Sequence, residues 1–264
     1  MTSNDVNKIP DSNQPATLTT GELDAGQNDR KVFNVATGIF KGFNDKQGIM
    51  LCGYEWGGDD SDSTDVMINV GSVSNLDVTF SNKVPRYGKV AESWPYDKKI
   101  MSWFKLWSHE LSREDVGGDF EKCLVQTNWC DTQANNMSGI NYQSKLLASE
   151  QVDNFIAHVQ HFEPRILMFF GSSMGKFLND PKVLPRFMAT VGKELEKFQY
   201  QKMPFSGRRF NVGFQSFERC SVISLPHPSG SHGLSTDYID LFTPQIEKIL
   251  SDFKRFKGNP RVSA

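Results

Sequence analysis

Three short stretches hold residues whose types suit one kind of reaction. His227 stands between Pro226 and Pro228, directly after an apolar run from Ser221 to Leu225. Proline cannot continue a strand, so this histidine is held where a buried strand gives way to a loop. There it can donate a hydrogen bond to an anion that forms as a bond breaks. Glu55 lies in Gly53-Tyr54-Glu55-Trp56-Gly57-Gly58, a glycine loop that follows the apolar run from Ile49 to Cys52. A carboxylate there can steady a developing cation and orient a water, so Glu55 and His227 supply both partners of a charge-separating cleavage. Asn128 ends a third apolar run, from Cys123 to Val125 and on through Thr127. Its amide carries donors and an acceptor and can read a polar edge, or equally can satisfy a local backbone turn. Gly53, Gly57 and Gly58 let the backbone approach a ligand, and N–H groups there, with Ser229 and Ser231, can meet phosphate.

These residues need a frame. The apolar runs at 49–52, 123–125, 166–170 and 221–225 read as buried strands, each ending in Gly, Asn or Pro. Val152, Phe155, Ile156 and Val159 fall at i, i+3, i+4 and i+7, the stripe of an amphipathic helix leading into the run at Ile166. A second helix is expected from about Asp237 to Phe256, with Leu241, Ile246, Ile249, Leu250 and Phe253 as its stripe. Short apolar strands alternating with helices predict an α/β fold, a three-layer α/β/α sandwich with a short, mostly parallel central sheet. Ligand crevices in such sheets lie beyond the carboxyl ends of the strands, so the loops named above should converge.

Residues 1–30 contain few large apolar side chains and much Ser, Thr, Asn, Asp and Pro, which predicts a disordered tail. Residues 31–264 then form one domain, since nothing within them reads as a linker. The formal net charge of -2 and a pI near 6.2 show no global basic signature, so a nucleic-acid partner would need a local patch. The notable basic groups are Arg208 with Arg209, and Lys254, Arg255, Lys257 and Arg261. Cys52, Cys123, Cys130 and Cys220 form no CxxC pair, which predicts free thiols in a reducing cytoplasm, or a nucleus, and no metal or cofactor. No apolar stretch approaches membrane-spanning length, so a monomer away from membranes is expected. Asp59, Asp60, Asp62 and Asp65 read as a solvated loop; the alternative, a metal-dependent phosphate-ester hydrolase, lacks the spacing of a calcium loop. Trp94, Tyr96, Trp103, Phe104 and Trp107 read as core packing, with base stacking as the other use.

Four motifs, "GYEWGG" at 53–58, "TNWC" at 127–130, "FFGSS" at 169–173 and "HPSG" at 227–230, occur in the order and rough spacing of the uracil-DNA glycosylase superfamily, which the chain resembles over about residues 45–250. "HPSGSHGLS" is similar to the mismatch-specific branch, and Asn128-Trp129-Cys130 looks like the single-strand-selective branch. Two departures stand out: Trp56 takes the usual place of proline, and Glu55 that of Asp or Asn. The resemblance implies a monofunctional DNA glycosylase that releases uracil or another modified base, with no lysine in these motifs to form a Schiff base. It implies Glu55 and His227 as catalytic, and Asn128, Gly53, Tyr54 and Trp56 around the base. Gly57, Gly58, Ser229, Gly230, Ser231, His232 and Leu234 would face DNA, although His232 also reads as an ordinary loop residue. Leu234 would be the wedge that fills the space of a flipped base, or else a hydrophobic staple for the following helix. A catalytically weak relative that binds nucleic acid or a nucleobase is the alternative.

Overall fold

The sheet is built from six strands in the order β2-β1-β3-β6-β5-β4. The structure is a computed structural model that describes residues 33–57, 78–111, 118–133 and 141–258, all within the unit that begins at Phe33. The expected tail, Gly58, the acidic run and Arg261 lie outside the described residues. Strands β1 (Ile49–Gly53), β2 (Leu124–Asn128), β3 (Ile166–Phe170) and β6 (Ser221–Leu225) coincide with the four apolar runs. They pair in parallel, β1 with β2 and β3, and β3 with β6.

An apolar run without alternation is what a strand covered on both faces requires. Met50, Cys52, Val125, Leu167, Phe169 and Val222 enter one apolar cluster, while Ile49, Leu51, Leu124, Ile166, Met168, Phe170 and Ile223 enter the other. On the first face pack helix α2 (Ser149–Phe162), through Val152, Phe155, Ile156 and Val159, and helix α3 (Leu184–Val191). On the second pack helix α1 (Pro95–Leu106), through Ile100, Trp103 and Phe104, and helix α4 (Thr243–Lys257), through Ile246, Leu250 and Phe253. The fold is therefore α/β, with helices on both faces of a mixed sheet. All four cysteines are free and buried.

Two features differ from expectation. The C-terminal helix expected from Asp237 is two helices, Thr236–Asp240 and α4, because Pro244 sits in the first turn of α4 and cannot continue a preceding helix. Leu241 falls at that break, 38% exposed, and leaves the apolar stripe. The sheet is also longer than its parallel part. Strands β4 (Glu194–Gln201) and β5 (Val212–Phe217) form an antiparallel hairpin on β6. Since β4 runs in the direction of β6, the 202–211 connection emerges at the same sheet end as His227.

Candidate functional site

The crevice forms where β1, β2, β3 and β6 end. Gly53 pairs in register with Asn128, and Phe170 with Leu225, so the four strand ends lie in line. Beyond them the first two loops run side by side. Trp129 N–H donates to the Gly53 carbonyl at 2.9 Å, Cys130 N–H to Tyr54 at 2.8 Å, and Trp56 N–H to Thr132 at 3.2 Å. Trp129 is core: its indole stacks on Phe155 with ring centroids 3.9 Å apart and planes nearly parallel, and its Nε1–H donates to the Leu146 carbonyl at 2.9 Å.

Asn128 is only 7% exposed, and among the described residues its side-chain amide has no hydrogen-bond partner. The amide atoms are not closed off from solvent, so water fills their hydrogen bonds until a ligand replaces it. Asn128 lies directly over Gly53, where a Cβ would stand 2.3 Å from Asn128 Oδ1 and 3.4 Å from the Tyr96 hydroxyl. A side chain at this position would have to push the Asn128 amide aside.

His227 closes the other side. Its Nδ1 accepts a hydrogen bond from the Gly230 N–H at 2.8 Å, which places the ring proton of the neutral form on Nε2. Burial lowers its pKa from the ordinary histidine value, so the neutral ring prevails at pH 7. The imidazole faces Tyr54, with centroids 6.3 Å apart and planes 23° apart, and Tyr96 at 5.4 Å. The Tyr54 ring covers Gly171, where a Cβ would meet it at 2.3 Å. Burial pushes the Tyr54 phenol up to about 12, against hydrogen bonding to Ser173.

Glu55 has a different environment. Its side chain is 5% exposed and pairs with Lys145, while Tyr142 Oη donates to Oε1 at 2.5 Å and Thr132 Oγ1 to Oε2 at 2.9 Å. Burial opposes ionisation, yet the hydrogen bonds from Lys145, Tyr142 and Thr132 outweigh it and hold the carboxyl below its ordinary pKa. A carboxylate has about four acceptor positions, so three donors leave room for about one water.

No family model matches the chain, and no curated protein matches it.

The remaining expected residues spread around this crevice. Trp56 is half-buried, bridged to Gln133, and the exposed Gly57 accepts from Gln133 Nε2 at 3.0 Å. Ser229 and Gly230 are exposed in the turn that holds His227, Ser231 is half-buried, and the Ser231 N–H donates back to the His227 carbonyl at 3.2 Å. His232 is exposed, and its carbonyl accepts from Arg208 at 2.9 Å. Leu234 is half-buried against the apolar cluster on the α1 face, immediately before Ser235, which caps the helix Thr236–Asp240 by accepting from Tyr238 N–H. That is the position of a staple.

Trp103, Phe104 and Trp107 are fully buried core, but Tyr96 stands at the crevice between Gly53 and His227. Sequence reasoning read it as core packing, with base stacking as the other use, and did not name Tyr142 and Lys145, which reach Glu55 from the helix Tyr142–Leu146. Lys254, Arg255 and Lys257 leave the site altogether. Lys257 donates to the carbonyls of Gly42 and Lys46, which precede β1, so this cluster lies at the opposite end of the sheet. Among the described residues no group of three His, Cys, Asp or Glu could hold a metal, and no helix is long and apolar enough to cross a membrane.

Proposed function

We propose that the chain is a monofunctional DNA glycosylase of the uracil-DNA glycosylase type, acting on uracil or another modified base in the cytoplasm or nucleus. The observation that carries this reading is that one crevice holds an Asn128 amide without a hydrogen-bond partner among the described residues and a neutral His227 whose tautomer is fixed by Gly230, with Tyr96 between them. An amide with both a donor and an acceptor matches the imide edge of a flipped base. In the proposed reaction the C1′–N bond breaks and its electron pair leaves with the base. His227 Nε2–H then donates to the anion that forms on the base. Glu55 steadies the positive charge on the sugar through its remaining acceptor position. Water adds at C1′ and its proton passes through solvent to the departing base anion, which leaves a neutral free base and an abasic deoxyribose.

The crowding of Glu55 favours a second reading, a binder with weak or no catalysis, since three donors already occupy most of its lone pairs. One experiment separates the two. Labelled oligonucleotides carrying uracil, hypoxanthine, xanthine or hydroxymethylated bases are incubated with the protein and with His227→Ala, then cleaved by alkali. Abasic sites made by the parent and lost in the variant support the glycosylase. Binding without abasic sites from any substrate supports the binder, and activity abolished by EDTA would replace both with a metal-dependent hydrolase.

A further inference from the structure

The hairpin β4–β5 extends the core through Val212, Phe214 and Phe217, and it also delivers the 202–211 connection to the crevice rim. That connection is fastened at several points. Ser172 Oγ donates to the Asn211 carbonyl at 2.7 Å, and Tyr200 Oη to the Ser172 carbonyl at 2.6 Å. Tyr238, fully buried, donates from its hydroxyl to the Phe210 carbonyl at 2.5 Å and meets the rings of Phe205 and Phe210. Arg208 Nη1 donates to the His232 carbonyl at 2.9 Å, which ties the connection to the loop carrying His227. The result is a preorganised rim rather than a loose loop.

Its charges are not neutralised, although Arg208 donates to the His232 carbonyl and lies over the Phe210 ring. Arg208 and Arg209 are exposed, and among the described residues neither pairs with a carboxylate. The basic cluster at the far end of the sheet contrasts with this. There Arg255 pairs with Asp252, and Lys257 donates to two carbonyls. A chain with a net charge of -2 that leaves two adjacent arginines unneutralised beside its crevice has the local patch a polyanion needs. Arginine's planar fork suits phosphate oxygens in particular.

We propose that the β4–β5 connection is a backbone clamp, in which Arg208 and Arg209 hold phosphodiester groups of DNA flanking the base presented to His227. This rests on the nucleic-acid reading of the crevice but not on catalysis. Each phosphate neutralised contributes about 0.9 to the slope of log affinity against log salt on duplex DNA.

The test is that slope, measured by fluorescence anisotropy with a uracil-containing duplex between about 50 and 200 mM salt. Arg209→Ala, which removes a side chain with no hydrogen bond to the rest of the protein, should flatten the slope by about 0.9, and R208A/R209A by about 1.8. Arg209→Lys keeps the charge and should keep the slope. An unchanged slope in Arg209→Ala overturns the clamp, as does a parent that binds no DNA, or an Arg209→Lys variant as flat as alanine. Base release assayed on the same samples keeps the two proposals apart. Slopes that move without any base released leave the clamp standing and sink the glycosylase; release with unmoved slopes does the reverse.

Discussion

The polar groups of the crevice fall into a sealed set and an open one. Glu55, against the helix Tyr142–Leu146, is held by Lys145, Tyr142 and Thr132. At the ends of β2 and β6, which lie on either side of β1 and β3, the Asn128 amide and the His227 Nε2–H have no hydrogen-bond partner among the described residues. The difference teaches where ligand recognition can occur. A group whose hydrogen bonds are mostly made within the fold contributes to stability and field, whereas a group that still faces solvent can exchange its water for a ligand. On this comparison Glu55 should respond to mutation mainly through folding and charge, and Asn128 and His227 mainly through recognition and rate.

The largest expected effect is at His227. In the proposed reaction His227→Ala removes the donor to the leaving base, and removing one such donor costs about 2.7–4 kcal/mol, or about 10²–10³ in rate. Single-turnover base release at saturating enzyme measures this, and thermal unfolding should change little. Near-normal release from the variant would show that the open set is not the chemical set. Next comes Gly53→Ala, whose new Cβ would stand 2.3 Å from Asn128 Oδ1 and so must displace the amide. A misplacement on the order of 1 Å costs about a hundredfold. The loss should appear in the rate for a matching base and in discrimination against cytosine, read in the same assay.

Lys145→Met probes the sealed set. It strips one donor from a buried carboxylate, at a cost of about 1–3 kcal/mol in stability. The sign with pH follows from the lowered pKa of Glu55. A carboxyl depressed in the folded state stabilises above its unfolded pKa of about 4.3, and that contribution is lost as pH falls through the folded value. Without Lys145 the folded pKa rises, so the variant should show its unfolding deficit at pH 7 and a smaller further loss on acidification than the parent. If Lys145→Met instead leaves stability intact and changes only the rate, Glu55 belongs with the open set.

How far these groups could be read from the chain depends on how far apart their partners lie. The four parallel strands are apolar over their length because both faces are covered, so each declares itself locally. β4 does not: Glu194–Gln201 reads ELEKFQYQ, an edge strand with no fully buried residue, whose pairing with β5 comes from its neighbour. Likewise His227 and Asn128 are marked by strand ends, while Lys145 meets Glu55 across 90 residues and no spacing rule links them. Tyr96 was hidden within an aromatic run of which Trp103, Phe104 and Trp107 are core. Pro244 was visible, and it is the residue that divides the C-terminal helix.

Acidification should also weaken the fold through histidines. His227 and His161 are lowered from the ordinary value by burial, and burial pushes His109 down to about 4, with Lys254 adding to it. A histidine kept neutral by the fold costs nothing above its unfolded pKa of about 6.5, and penalises folding progressively as pH falls below that. Melting temperature should therefore decline between about pH 6.5 and 4, and His109→Phe should flatten the decline. A melting temperature that holds level over that interval would contradict the neutral state assigned to these rings, His227 included.

The smallest effect tests whether Leu234 belongs to the open set at all. It precedes the capping Ser235 and rests half-buried on the apolar cluster of the α1 face, which is where a hydrophobic staple sits. As a staple, Leu234→Ala should cost about 1 kcal/mol and lower the melting temperature by about 2–4 °C, with equal losses on single- and double-stranded substrates. As a wedge, it would have to leave that packing to enter the duplex. The variant would then release base from single strands normally and from duplexes poorly, because only a duplex needs a base unstacked. The half-buried position argues for the staple, since any wedge function must overcome the packing it gives up. Matched single- and double-stranded oligonucleotides, assayed beside a melting curve, decide it: a duplex-only loss with an unchanged melting temperature would move Leu234 to the recognition surface.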